Sequence, residues 1–256
     1  MREKFVLVGA GSVSFTRGLV VDLVQRGAEG ELALVDVSPE ALAIAEGFAR
    51  KVIEAGGSKL HLSATTDLRQ TLPDATAVIC TIAVGGRKAW ETDLLLPRKW
   101  GIWQPVGDTS MPGGTSRALR MIPAMVDIAQ AVVELAPKAL FFNYGNPMVP
   151  VCTGIRKATG ANVIGLCHGV FHVAGMLADE LGVPGEELAY TALGYNHLTW
   201  FTELRHQGQD LMPKLKSLGR EKLAQVPAAL GKQEVAGLNP LDRKSTRLNS
   251  SHRIRS

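Results

Sequence analysis

Three groups of residues in this 256-residue chain carry types and spacings that could do chemistry. The first is Gly9-Ala10-Gly11-Ser12-Val13-Ser14, which follows a short apolar run, Phe5–Val8, and opens a stretch with apolar residues at helical spacing. There, a first glycine permits a tight turn and a second lets the backbone approach a pyrophosphate, which Ser12 and Val13 would meet at the helix N-terminus. The third glycine of the usual fingerprint is replaced by Ser14, so the motif is incomplete. Asp36 ends the next apolar run, 27 residues after Gly9, where an acid can bind the hydroxyls of an adenosine ribose. An acid at that place favours NAD over its 2′-phosphorylated relative. Without a ligand, the same loop is only a tight turn.

The second group is Cys167, His168 and, thirty residues on, His197. A thiolate with a neutral imidazole is a plausible pair for a divalent metal, a substrate's oxygens completing the shell. The spacing matches no zinc-finger pattern, and a lone buried cysteine is more often a small apolar residue. Cys167 and His168 could both be ligands only if the chain turns between them. The third group is Asn143 to Asn146, beyond the end of another apolar run. Asn146 precedes Pro147, which biases it to an extended or turn conformation. It reads equally well as a turn-former and as a ligand contact. His61, His172 and His206 read as structural or surface groups, and Cys80 and Cys152 as core.

The elements that would position these residues alternate. Strands are expected at Phe5–Val8, Glu31–Val37, Leu60–Ala64, Ala77–Ile82, Ala139–Asn143 and Val163–Leu166. Helices are expected at Phe15–Gln25, from Ser38-Pro39 to Ala55 with serine as cap, at Ser116–Leu135 through Pro123, and at Phe171–Leu181. Gly85 to Gly114, rich in Gly, Pro and Trp, reads as a long connection. Leu188–Gly194 and Thr199–Arg205 read as antiparallel strands of a second layer. The pattern is that of an α/β protein, a Rossmann-like doubly wound parallel sheet followed by the start of a second α+β domain. Ligands of such sheets gather beyond the carboxyl ends of the strands, where Thr81, Asn143 to Asn146 and Cys167-His168 lie.

Composition narrows the class. Hydrophobic residues make up 46% and charged residues 20%, which excludes a disordered or collagen-like chain. No segment reaches the roughly 18 apolar residues of a membrane helix. Three cysteines cannot form a disulfide framework, so a cytoplasmic protein is expected. The net charge of +4 could suggest a nucleic-acid partner. However, Leu241–Ser256 holds Arg243, Lys244, Arg247, Arg253 and Arg255 against Asp242, so the rest of the chain is neutral. No nucleic-acid partner is expected from a neutral body.

The segments VGAGSVSFTRGL, PRKWGIWQPVGDTSMPGGTSRALR (Pro97–Arg120), NYGNPM (Asn143–Met148), CHGV (Cys167–Val170) and GYNHLTWF (Gly194–Phe201) occur in this order. Together with Val84–Gly86, they resemble glycoside hydrolase family 4, the NAD- and metal-dependent glycosidases. The resemblance implies that Cys167 and His197 bind a divalent metal, usually Mn2+, that Asn146 contacts the sugar, and that His168 assists the leaving group as an acid. It implies a reaction outside the two-carboxylate scheme: C3 is oxidised by NAD, the metal assists C2 deprotonation, the C1 substituent is eliminated, water adds, and the hydride returns. The CHG sequence resembles members acting on unphosphorylated α-hexuronides, with neutral α-hexosides close behind. The expected partner is a small-molecule glycoside, with no membrane association, and the full-length form is expected to be a homo-oligomer.

The match departs from the family in places. Met111 stands where the family has glycine and is expected to reshape that loop. Similarity is expected to fade near Pro213, leaving a truncated and inactive chain with no base for the C2 proton; neither Tyr190 nor Tyr195 sits at the family's position. The expected division is a NAD-binding domain over 1–195, the start of a substrate domain over 196–240, and a non-native tail over 241–256. The rival reading is an NAD-dependent 2-hydroxyacid dehydrogenase of the lactate/malate type, which shares the fold and an Asn-Pro turn. That chemistry needs a His–Asp pair and a substrate-binding Arg, where Cys167 to Phe201 offers Cys and His.

Overall fold

The structure, a computed structural model, describes residues 3–104, 106–195 and 197–224. Asn196 and the basic tail from Leu241 lie outside them. The chain forms two compact units, one of Met1–Leu96 with Gly107–Leu166, the other of Pro97–Val106 with the described residues from Cys167 onward.

In the first unit, strands β1 (Glu3–Val8), β2 (Gly30–Val35), β3 (Leu60–Thr65), β4 (Ala77–Cys80), β5 (Leu140–Asn143) and β6 (Val163–Gly165) form one parallel sheet in the order β3-β2-β1-β4-β5-β6. This is the doubly wound order, with the reversal between β1 and β4 creating the crevice for a dinucleotide. The two-residue period of a strand decides which side chains face which layer. Leu7, Leu32 and Leu34 pack with Val20 of α1 (Val13–Gln25) and with Leu42, Ala45 and Ala49 of α2 (Pro39–Ala55). The alternate residues Val6, Val8, Ala33 and Val35 face the other way, onto Met121, Met125, Ala129 and Val132 of α5 (Met111–Leu135). Both faces are covered, which is why these strands read as unbroken apolar runs. The expected cap of α2 is present: the Ser38 hydroxyl accepts a hydrogen bond from the Ala41 N–H at 3.3 Å.

Three stretches differ from the sequence expectation. The supposed connection from Gly85 contains α4 (Gly86–Leu95), a 3-10 turn (Leu96–Trp100) and the first turn of α5. Helix α4 shows no apolar stripe because its buried residue is Asp93, a polar anchor. The first turn of α5 reads as loop because it carries Pro112-Gly113-Gly114. Proline fits a first helical turn, and a Cβ at Gly114 would lie 2.5 Å from the Thr109 carbonyl carbon, so glycine there permits a close backbone approach. Helix α6 (Met148–Thr159) was hidden by Pro150 and Gly154. A Cβ on Gly154 would come within 2.8 Å of Ile122 Cγ2, so this glycine lets α6 pack closely on α5.

In the second unit, α7 (Gly169–Leu181) packs with β7 (Ala189–Tyr195), β8 (Leu198–His206) and α8 (Met212–Ala224) around Ala178, Leu181, Leu188 and Leu204, and the exposed β9 (Gln209–Asp210) pairs with β8. The three strands form an antiparallel sheet in sequence order. Lys214 Nζ donates to the Leu181 carbonyl at 2.7 Å, placing a cation on the C-terminal end of α7 where the helix dipole favours it. Among the described residues, no helix is long and apolar enough to cross a membrane.

Candidate functional site

The glycine loop sits between β1 and α1 as the sequence predicts. Gly9 has φ 86°, a left-handed backbone that glycine adopts without strain, and a Cβ there would lie 2.9 Å from the Ile82 nitrogen. At Gly11, a Cβ would lie 2.7 Å from that of Ala41 and 2.8 Å from Asp36 Oδ2. Ser12 caps α1 without a side-chain hydrogen bond, and Val13 is exposed, so the helix N-terminus keeps backbone donors for an anion. Asp36 does more than wait for a ribose. Its Oδ2 accepts the Gly11 N–H at 2.7 Å and its Oδ1 the Ser38 N–H at 2.9 Å, tying the loop to the end of β2. A carboxylate has about four lone-pair sites, so two remain for ribose hydroxyls. These residues fit a dinucleotide.

In the second unit, β7 and β8 meet in a tight turn where His197 adopts φ 61°. Its Nε2 lies 3.4 Å from Cys167 Sγ. Two ligands of one ion, at metal–sulfur and metal–nitrogen distances of about 2.3 and 2.1 Å, stand ~3.1–3.6 Å apart at ordinary angles. The donor set therefore fits a divalent metal. Among the described residues, no group of three or more His, Cys, Asp or Glu is placed to hold an ion. The chain turns between strand and helix here: β6 ends at Gly165 rather than Leu166, and α7 starts at Gly169. His168 is the exposed N-cap residue of α7, and its carbonyl accepts the His172 N–H at 2.9 Å. The Gly169 N–H points at Cys167 Sγ at 3.4 Å, a donor that favours thiolate. Cys80 and Cys152 are buried core residues as expected, and burial pushes the Cys80 thiol up to about 12, making it inert.

Asn143 and Asn146 separate into two roles. Asn143 is fully buried and bonds to Gly145 twice, from Nδ2 to the carbonyl at 3.0 Å and from the Gly145 N–H to Oδ1 at 2.8 Å, so it builds the turn. Asn146, before a cis Pro147, is half-buried. Its Nδ2 donates to Asp108 Oδ2 at 3.2 Å, and its carbonyl accepts Arg117 Nε at 3.1 Å. Within the first unit, these are its hydrogen-bond partners, and neither is a residue of the glycine loop. Burial lowers the Arg117 guanidinium from its usual range, with the carboxylates of Asp108 and Asp93 working against that.

Sequence reasoning missed this cluster around Asn146. One turn along α5 from Arg117, Arg120 holds buried Asp93 with both terminal nitrogens, at 3.0 and 2.5 Å. Burial alone would raise the Asp93 carboxyl, but hydrogen bonds from Arg120 and Ser116 and the positive charge of Arg120 and Arg117 hold it below the usual carboxylate range. A depressed carboxyl stabilises the fold above its unfolded-state value near pH 4, and the contribution is lost as pH falls through the folded-state value. Asp93→Asn is therefore expected to cost about 3 kcal/mol at pH 7, because it strands a cation beside a buried site. The gap from wild type should close below about pH 4. Urea unfolding across pH 3–7 measures it; a gap independent of pH would contradict the assignment.

Met111, at the start of α5, has φ 63° and precedes proline, a conformation that opposes any side chain. Met111→Gly should thus be more stable than Met111→Ala by about 1 kcal/mol, the reverse of the usual helix ranking. Equal urea midpoints for the two would remove the strain argument.

Comparison with known proteins agrees with the fold. Residues 4–183 match the family 4 glycosyl hydrolase model, and residues 192–247 match that family's C-terminal domain. The second match carries the resemblance beyond Pro213, where it was expected to fade. The chain is 37% identical over 209 residues to the α-galactosidase of Rhizobium meliloti (strain 1021), covering 80% of this chain and 43% of that enzyme. It is 35% identical over 220 residues to the α-galacturonidase of Bacillus subtilis (strain 168), covering 82% and 48%. A 6-phospho-α-glucosidase from gut microorganisms, solved with NAD and glucose-6-phosphate, superposes with a TM-score of 0.77 at 27% identity, covering 85% of this chain and 50% of that one. The chain spans about half the length of the curated relatives it matches. It belongs to family 4 of the glycosyl hydrolases.

Proposed function

We propose that the protein is a glycosidase that cleaves unphosphorylated α-hexosides or α-hexuronides with NAD and a divalent metal, Mn2+ for preference. The observation that carries this reading is the approach of Cys167 Sγ to His197 Nε2, a metal-type pair in a chain that also holds a dinucleotide loop. A lactate-type dehydrogenase has no use for such a pair. Held at Gly9–Val13 and Asp36, NAD would supply reversible hydride acceptance, and a divalent ion held by Cys167 and His197 would supply Lewis-acid polarisation of sugar oxygens.

The residues of the chain supply the rest. Gly9, Gly11, Ser12 and Val13 hold the pyrophosphate with backbone donors, and Asp36 takes ribose hydroxyls. Cys167 and His197 hold the ion. Asn146 contacts the sugar, and exposed His168 gives a proton to the departing oxygen. The preference for unphosphorylated substrates, uronides first, is supported by Cys167-His168-Gly169. A cytoplasmic setting is supported by three free cysteines. A homo-oligomeric form follows from the family resemblance, as does a small-molecule glycoside as the binding partner.

The test is an aryl α-galacturonide offered, with NAD and Mn2+, to a protein that carries this chain at the full length of its relatives, of which the chain spans about half. Release of the phenol without accumulation of NADH is expected. Stoichiometric NADH with a 2-hydroxy acid, and no phenol release, would overturn the reading in favour of the dehydrogenase.

A further inference from the structure

Arg117 and Arg120 stand three residues apart on α5, yet the structure uses them differently. Arg120 is committed to Asp93 through both terminal nitrogens. Arg117 is anchored only by Nε, on the Asn146 carbonyl. Among the described residues, its two terminal nitrogens make no hydrogen bond, and no carboxylate lies within 4.0 Å of them. Asp108, its neighbour in charge, has Oδ1 engaged by the Thr109 hydroxyl at 3.0 Å and Oδ2 by Asn146.

The Asn146 amide is oriented by the same contacts. A carboxylate only accepts, so the group facing Asp108 must be Nδ2, which leaves Oδ1 as an acceptor without a partner among the described residues. Among the described residues, the fully buried side-chain polar atom without a partner is Arg120 Nε, so the Arg117 terminal nitrogens and Asn146 Oδ1 keep access to solvent. A half-buried guanidinium with its donor edge unused thus sits beside an amide oxygen with its acceptor unused, both fixed by shared bonds. That pairing of donor and acceptor complements a sugar, whose adjacent oxygens both accept and donate, and a guanidinium edge also matches a carboxylate.

We propose that Arg117 is a second sugar-binding residue, donating from its terminal nitrogens to an oxygen of the same glycoside whose hydroxyl Asn146 Oδ1 accepts. Asp108 is the positioning residue that sets the amide. The inference rests on the reading of Asn146 as a sugar contact.

The experiment titrates methyl α-D-galactopyranosiduronate and methyl α-D-galactopyranoside calorimetrically into the whole protein holding NAD and Mn2+. Arg117→Gln should weaken binding roughly 10–100-fold, the loss of a charge-assisted hydrogen bond, while NAD affinity stays within about twofold. Arg117→Lys should lose a similar factor, because an ammonium cannot hold the Asn146 carbonyl and a ligand oxygen in one planar fork. A larger loss on the uronide places the fork on the carboxylate, and an equal loss places it on a hydroxyl common to both; each supports the proposal. If Arg117→Gln fails to bind NAD, and so to fold, Arg117→Lys decides. Wild-type affinity for both glycosides in the folded variants overturns the proposal. A wild-type protein that binds neither glycoside removes the functional reading beneath it instead, and the proposal falls with it.

Discussion

Cys167→Ser is expected to weaken Mn2+ binding by at least ~100-fold, since lost outer-shell partners of a metal already cost about 10–100-fold and this change removes a direct ligand. Electron paramagnetic resonance of free Mn2+ during a titration reads the affinity without any substrate. The physical reason is local. The pair offers one sulfur and one imidazole nitrogen 3.4 Å apart, and among the described residues no third His, Cys, Asp or Glu joins them in a group placed to hold an ion. Serine keeps the size of the side chain but replaces a thiolate by a neutral hydroxyl, so the anionic charge that draws the ion is gone. The fold should tolerate the change, because Cys167 is only half-buried and stands between β6 and α7 rather than in a core. Mn2+ bound as tightly by Cys167→Ser as by wild type would end the ligand assignment.

The second large effect concerns the nucleotide loop. Gly11→Ala should raise the Kd for NAD by roughly 10–100-fold, with a parallel loss of about 1–3 kcal/mol of stability from overpacking. The added methyl would stand 2.7 Å from the Ala41 Cβ and 2.8 Å from Asp36 Oδ2, both distances below any real carbon contact. Asp36 cannot simply step aside, because its carboxylate also holds the Ser38 N–H at the start of α2. The loop must move instead, and the backbone donors aimed at the pyrophosphate move with it. Calorimetry with NAD tests this; unchanged affinity in a folded variant would show that the loop is not the nucleotide site.

The sheet was legible because its physics is local. Val6-Leu7-Val8 and Leu32-Ala33-Leu34-Val35 are apolar on both sides of the strand, and only burial on both faces permits that. Ser38-Pro39 announces α2 by capping chemistry that operates within four residues. Helix α6 and the first turn of α5 were hidden by glycines whose value appears only in three dimensions: Gly154 against Ile122, Gly114 against Thr109. The Asp93–Arg120 pair was hidden for a related reason. Its partners are 27 residues apart, and a buried carboxylate breaks the apolar periodicity that would have marked α4 as a helix. Cys167 and His197 lie between these cases. Their spacing follows no metal motif, so the residues alone left the pairing open, and resemblance to a family supplied what the β7–β8 turn then brought within reach.

Asp36 and Gly11 also bear on how the nucleotide is received. Because one carboxylate fastens the loop to both β2 and the start of α2, the conformation proposed to meet a pyrophosphate belongs to the folded chain itself. The entropy of arranging those backbone donors is lost at folding rather than at encounter, so binding is not penalised by a minority of competent molecules. Under the proposed function, a cofactor that is reduced and re-oxidised within one turnover gains from a seat of this kind, since its grip does not depend on a loop closing anew each cycle.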